Sequence, residues 1–465
     1  MQWLSIIPAL TTIILTFKTK KLIPALVTGV VIGSLISTKS LVNGITSVSN
    51  FIIDVLTDKG SAFSLSFLII FGALTELLGM AGGISGFSEK IGKRIKSEKG
   101  VLGWSWALSV PTFFNSSFHS IAVGTVMNPL LEKVKASREK FAFILSVTSL
   151  QLILLVPIAT ANLGYMVTLV TTNIKNTGIN ESAYMIVVKS VLWNFFSWSM
   201  LLIALGVTLF SLGFGKIKLG RVKDNDELTK GHLEKEKNAD KQVEEYPRRI
   251  RNLITPIIIL LVSTILLFWW TGKEKSPTFF GALSNANFNV SIFAGAFITL
   301  FLTSVYYLFQ KISLAEIEAH IVKGSQNLLS LVIVLVLSWT LTRVTQELGF
   351  NKLISKDLIV SIPKLLIPAI LFTVSGAISY TIGSSWATWA LMIPLAVTFS
   401  VNSGVNIATM VGTVWAGGAV TDVISPMSAK LAKISFGEHL VTSLPYVIAG
   451  AVISIIGYMI VGLVF

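Results

Sequence analysis

The chain has 465 residues, 53% hydrophobic and only 13% charged, with a formal net charge of +14. Soluble domains carry charge on about a quarter of their residues, so this chain lacks the surface of a soluble protein. Its lysines and arginines cluster in loops beside apolar segments, which argues against a nucleic-acid partner, and the absence of cysteine excludes disulfides and thiolate metal sites.

Apolar segments fall at 3–17, 22–37, 63–80, 101–131, 141–172, 185–214, 253–270, 291–309, 326–342, 363–401, 405–431 and 441–465. Many are long enough to cross a bilayer, which predicts an all-α polytopic membrane protein. Met1–Phe17 lacks a basic start and its lysines follow the apolar run, so no cleavable leader is expected. Basic clusters at Lys18–Lys21, Lys90–Lys99, Lys133–Lys140, Lys216–Arg251 and Lys311–Lys323 assign these loops to the cytoplasm. The loops on both sides of 101–131 are therefore on one side. That predicts a re-entrant hairpin with its tip near Phe113–His119; two closely spaced spans are the alternative, tight for 31 residues.

Segment 141–172 follows, interrupted at Val156-Pro157. The second half repeats the order from the opposite face: a hairpin over 363–401 with its tip near Tyr380–Thr388, then 405–431 interrupted at Ser425-Pro426. The expectation is a pair of inverted structural repeats, each with a re-entrant hairpin and a broken transmembrane helix, an arrangement used by transporters and open to channels and membrane enzymes. The organisation read this way is 1–60 as N-terminal scaffold helices, 61–214 as the first repeat, 215–252 as a charged cytoplasmic linker, 253–325 as connecting scaffold helices and 326–465 as the second repeat. Between Lys216 and Arg251 the linker mixes eleven basic with eight acidic residues.

Asp422 is the leading candidate for chemistry. A carboxylate at membrane depth costs several kcal/mol unless a cation, a donor or water compensates it, and binding a cation or proton would use that cost. Pro426 removes a donor, and the hydroxyls of Ser425 and Ser428 have the hard-oxygen character that suits Na⁺ or the polar part of a solute. Gly383, Ser384, Ser385 and Thr388 offer hydroxyls and close backbone approach at the second tip. Asn115, Ser116, Ser117 and His119 are their first-half equivalents, and Thr148 and Asn162 flank the Pro157 break. Glu76 reads either as a proton carrier, as the partner of a basic group, or as an interfacial residue. Helix capping and ordinary packing are the competing accounts for the hydroxyls, the tryptophans and the histidine. No Walker loop, HExxH or histidine metal cluster is present, and no cofactor is expected beyond a coupling Na⁺ or H⁺.

Four stretches resemble the NhaC-type sodium/proton antiporter family of the wider ion-transporter superfamily: Ser88–Gly100, Phe114–Arg138, Thr381–Pro394 and Gly412–Ser435. The resemblance implies cation or solute transport in the cytoplasmic membrane of a prokaryote, by a homodimer whose hairpin-bearing domains move against a scaffold. The chain departs from the family pattern. Asn115 and Ser116 stand where an acidic pair is usual, Ala429 replaces the second motif aspartate, and Lys430-Leu431 replace hydroxyl residues. Lost carboxylates remove cation partners and proton carriers. The residues left favour a small polar solute, zwitterions included, with Asp422 facing its ammonium or a coupling ion. A sodium/proton antiporter proper, a non-transporting receptor or scaffold, and a membrane enzyme are the other readings.

Overall fold

A computed structural model describes residues 2–19, 21–80, 82–83, 95–158, 160–175, 177–210, 249–349 and 363–464. Every regular element among them is helical. In a bilayer the apolar runs have few alternatives, because each segment must satisfy its own backbone N–H and C=O groups.

The chain opens with α1 (Ile7–Thr19), α2 (Leu22–Thr38), α3 (Leu41–Thr57) and α4 (Lys59–Met80). The first hairpin follows as α5 (Glu98–Thr112) and α6 (Ser116–Val134). The 15 residues of α5 span about 22 Å, less than the ~30 Å hydrocarbon core. A turn at Phe113–Asn115 joins the arms, and the Asn115 side chain caps α6 by accepting from the Phe118 N–H at 2.9 Å. α7 (Arg138–Ser146) runs into a π-helical turn, Val147–Gln151, and a short α8 (Leu152–Leu154). The helix stops around Pro157, which has no N–H to give, and restarts as α9 (Ala161–Ile174) capped by Thr160. α10 (Ala183–Ser190) and α11 (Phe195–Phe210) meet at a 46° bend.

The second half begins with α12 (Arg251–Gly272), the short α13 (Phe279–Ser284), α14 (Phe288–Leu308) and the 34-residue α15 (Leu314–Glu347). The second hairpin is α16 (Leu366–Ile382) and α17 (Ser385–Ser403), turned by Gly383 at φ 71° and capped by Ser384. α18 (Ile407–Gly418) passes through a 3₁₀ turn, Thr421–Ile424, to the short α19 (Pro426–Leu431), and α20 (Phe436–Val464) closes the chain.

Two layers result. α1–α4 pack with α12–α15, while α5–α11 pack with α16–α20; α4 against α9, α15 against α17 and α1 against α16 join them. Within the first layer α15 crosses α4 at close range. A Cβ on Gly72 would lie 2.4 Å from the Gly324 carbonyl oxygen, and one on Gly324 2.4 Å from the Gly72 oxygen. Only glycines allow backbones so close.

Among the described residues six helical segments are long and apolar enough to span a bilayer, or seven if the bent pair formed by α10 and α11 counts as one span. The protein is a multi-pass membrane protein. Both hairpin tips and both breaks fall where the sequence places them. Three details differ. The basic cluster Lys311–Lys323 is not all loop, since α15 begins at Leu314 and carries Lys323 on its surface. Pro426 does not interrupt a helix; it opens α19 at the first position, where its missing N–H costs nothing. The polar, amphipathic α3 has no counterpart among the predicted apolar segments. The linker over residues 211–248 and the loop stretch 84–94 lie outside the described residues.

Candidate functional site

The two hairpin tips meet at the start of α9. The Ala161 N–H donates to the Phe114 carbonyl at 3.1 Å, which ties α9 to the first tip. One turn on, the Tyr165 hydroxyl donates to the Trp386 carbonyl at 2.9 Å, and the two rings meet edge to face with centroids 4.6 Å apart. Asn162 lies between these anchors, fully buried, and neither its Oδ1 nor its Nδ2 has a protein hydrogen-bond partner. An amide in that position is costly unless something else satisfies it.

Asp422 approaches the same tip from the other side. It sits in the 3₁₀ turn with the Ser385 side chain beside its carboxylate, while its Oδ2 is buried without a protein partner. Ser385 is the first residue of α17, so the carboxylate lies by the positive end of that helix. The turn itself is held firmly. The Ser379 hydroxyl bridges the Gly418 carbonyl at 2.5 Å and the Thr421 Oγ1 at 2.8 Å. Trp389 Nε1 donates to the Trp415 carbonyl at 3.1 Å, and a Cβ on Gly418 would meet that indole nitrogen at 2.1 Å.

The halves are stitched together behind these groups. Gln151, in the π turn, donates from Nε2 to the Ala419 carbonyl at 2.8 Å and accepts from the Ser197 hydroxyl at 2.6 Å. His119 is fully buried between hydroxyls: Nδ1 is 2.7 Å from Thr112 Oγ1 and Nε2 is 3.0 Å from Thr148 Oγ1. It therefore fastens the first hairpin to the π turn. Sequence reasoning missed His439, which is buried on the opposite side, 3.2 Å from Ser146 Oγ and 3.2 Å from Ser443 Oγ. Its signal was available, since it is one of only four histidines and lies at the edge of an apolar run.

The remaining candidates divide. Thr388 is buried and its hydroxyl donates to the Ser384 carbonyl at 2.9 Å, while the Ser384 hydroxyl caps α17 by accepting from the Ala387 N–H. Ser425 caps α19 by accepting from the Met427 N–H at 3.2 Å, and Ser428 is buried within that helix. Ser116 is half-buried and Ser117 exposed, and Gly383 supplies the left-handed turn. Glu76 is the partner of a basic group: it accepts from Lys323 Nζ at 2.6 Å and from Asn327 Nδ2 at 3.5 Å, with His320 Nδ1 at 3.5 Å. The site so assembled offers one carboxylate, one unsatisfied amide and several hydroxyls. It can hold a single positive charge and hydrogen-bond a small polar body beside it.

Residues 152–463 match the profile of the Na+/H+ antiporter family. An uncharacterised protein of Haemophilus influenzae is 27% identical over 98% of this chain and 90% of its own length. Among solved structures, the YdaH transporter of Alcanivorax borkumensis, described as having an unusual topology, superposes with a TM-score of 0.56 at 11% identity, covering 90% of this chain and 87% of its own. MtrF of Neisseria gonorrhoeae, of a class of antimetabolite efflux pumps, gives 0.58 at 15% identity over 92% and 85%. At these identities the structural likeness is one of fold.

Proposed function

The chain belongs to the Na+/H+ antiporter family, and on that premise we propose that it is an ion-coupled secondary transporter that carries a small polar solute or a monovalent cation by alternating access. The observation that carries this reading is the pair of buried polar groups without protein partners, Asn162 and Asp422 Oδ2, on either side of the second hairpin tip. Groups left unsatisfied in a packed interior store a demand that a ligand can meet. In this mechanism Asp422 takes the coupling Na⁺ or H⁺, or an ammonium of the solute. Asn162 hydrogen-bonds the neutral part, and Ser385 orients the carboxylate.

The same order of hairpin and broken helix recurs in both halves, which supports inverted repeats and a site that opens to one face and then the other. The fold likeness to an efflux pump favours export of an organic solute, and the single carboxylate at the site favours it over plain sodium/proton exchange. We place the protein in the cytoplasmic membrane of a prokaryote, as a homodimer. Counterflow in proteoliposomes under imposed Na⁺ or proton gradients tests the reading. Asp422→Asn is expected to keep the fold and to weaken coupling-ion binding about 10- to 100-fold, the range for losing a charged hydrogen-bond partner. Unchanged ion dependence in that variant, or no counterflow across cations, carboxylates and amino acids, would refute it.

A further inference from the structure

A second polar feature lies away from the hairpin tips. A cavity of about 230 Å³ opens between α1, α9, α15 and α17. Along α17 it follows one helical face from Ala390 through Pro394 and Thr398 to Asn402. Its inner end therefore begins about one and a half turns from Ser385, the residue that contacts Asp422. None of its lining residues is acidic, basic or histidine. The nearby Arg343 is not among them and pairs instead with Asp54 at 3.9 Å.

The wall is mostly apolar, and the polar groups set into it have a sign. Each threonine hydroxyl has one proton, and four have committed it to a backbone carbonyl three or four residues earlier. Thr342 donates to the Ser338 carbonyl at 3.0 Å, Thr345 to Thr342 at 2.9 Å, Thr398 to Pro394 at 2.9 Å and Thr177 to Ile174 at 2.7 Å. Asn173 and Asn402 likewise turn their amide nitrogens to the Leu169 and Thr398 carbonyls at 2.8 and 2.9 Å. A carbonyl neighbour fixes that orientation, because an amide oxygen there would face another oxygen. Ser338 adds a hydroxyl that is almost fully buried and has no protein partner. The donors left over are the Ser338 hydroxyl, the Gln346 amide and one N–H each on Asn173 and Asn402, and the oxygen lone pairs of the wall outnumber them, without a charge.

Such a wall selects by donor content. An ammonium group brings several N–H donors to the more numerous lone pairs, whereas a carboxylate brings only acceptors and can use only the few remaining protons. The volume is below the ~300 Å³ at which pockets for drug-sized ligands begin, so the occupant is small. We propose that this cavity is a binding vestibule for the ammonium end of a small organic amine or amino acid. The proposal rests on the transport reading above, in which α17 leads from the vestibule to Asp422.

The test uses the full chain in lipid nanodiscs and three probes: ethylammonium, tetramethylammonium, which has the charge but no N–H donor, and acetate. Ligand-observed saturation-transfer NMR measures their affinities in the wild type and in Asp422→Asn, which removes the competing carboxylate. Ethylammonium is expected to bind both proteins at least tenfold more tightly than either other probe. The pair Thr342→Val and Thr398→Val should weaken it about 5- to 50-fold, and the corresponding Thr→Ser pair should restore it. Acetate binding as tightly as ethylammonium, or an unchanged affinity in the valine pair, would overturn the proposal. Should the valine pair fail to fold, the probe ranking on Asp422→Asn decides alone. Retained counterflow with an acetate-preferring cavity would sink only the vestibule. Retained ethylammonium binding with no counterflow of any solute would sink the transport reading.

Discussion

Asn162→Leu separates a site residue from a packing residue by the direction of its effect on stability. Asn162 is fully buried, with both polar side-chain atoms lacking protein partners. A buried unsatisfied polar group costs about 1–3 kcal/mol. Leucine has nearly the same shape, removes that cost and adds apolar burial, while the neighbouring Ala161 N–H still holds α9 to Phe114. The solute-free protein should therefore gain about 1–3 kcal/mol, seen as a melting temperature higher by a few degrees. Binding and counterflow should fall at least tenfold, because the amide no longer meets the solute. Thermal unfolding in detergent, paired with counterflow in proteoliposomes, reads both quantities. A lower melting temperature with unaltered counterflow would refute the reasoning, since it would mean that the amide is satisfied in the resting protein and serves packing.

Two further outcomes test the frame around the site. Gly324→Ala should destabilise the protein by more than about 2 kcal/mol, because the new Cβ would sit 2.4 Å from the Gly72 carbonyl oxygen and 2.8 Å from the Ala73 Cα, and backbones must part to admit it; an unchanged melting temperature would contradict the close crossing. Asp58, in the turn before α4, accepts from the Ser61 N–H at 2.9 Å and pairs with Lys175 Nζ at 2.6 Å. Burial pushes its carboxyl upward, but the Lys175 ammonium and the Ser61 N–H outweigh that and hold it below the ordinary value of 3.8. A depressed carboxyl stabilises the fold at pH values above its unfolded value, and the contribution is lost as pH falls through the folded one. Lys175→Met should therefore flatten the decline in melting temperature between about pH 5 and pH 2, by less than about 1 kcal/mol for so exposed a pair; an identical acid limb in wild type and variant would count against the assignment.

The parts legible in the sequence are those governed by local chemistry. Gly383 can take the left-handed turn at φ 71° and Asn115 can cap a helix, so both tips announced themselves. Pro157 and Pro426 marked the breaks because neither has an N–H to donate, although whether such a proline ends one helix or begins the next depends on the residue before it, here the capping Ser425. Asp422 stood out as a charge among apolar neighbours. What stayed hidden depends on partners far away in the chain. Nothing near Gln151 says that it will reach Ala419, and nothing near Glu76 chooses Lys323. The threonine face of α15 reads as ordinary membrane sequence until α17 lies opposite it. The first-half departures from the family pattern, with Asn115 for an acidic residue, were visible, but only the fold shows that Asn115 is occupied in capping while Asn162 is the amide left over.

The π turn at Val147–Gln151 has a consequence for how change can accumulate in this protein. A π turn holds an inserted residue inside an α-helix, and that residue sets the phase of everything on either side. Because of it, Ser146 faces His439, Thr148 faces His119 and Gln151 faces Ala419, partners on α20, on α6 and in the turn after α18. Deleting one residue there would leave every side chain chemically intact and turn one flank against the other by about 100°. The segment is thus intolerant of a change in length even where every side chain is kept: part of its information is carried by counting, as in a reading frame.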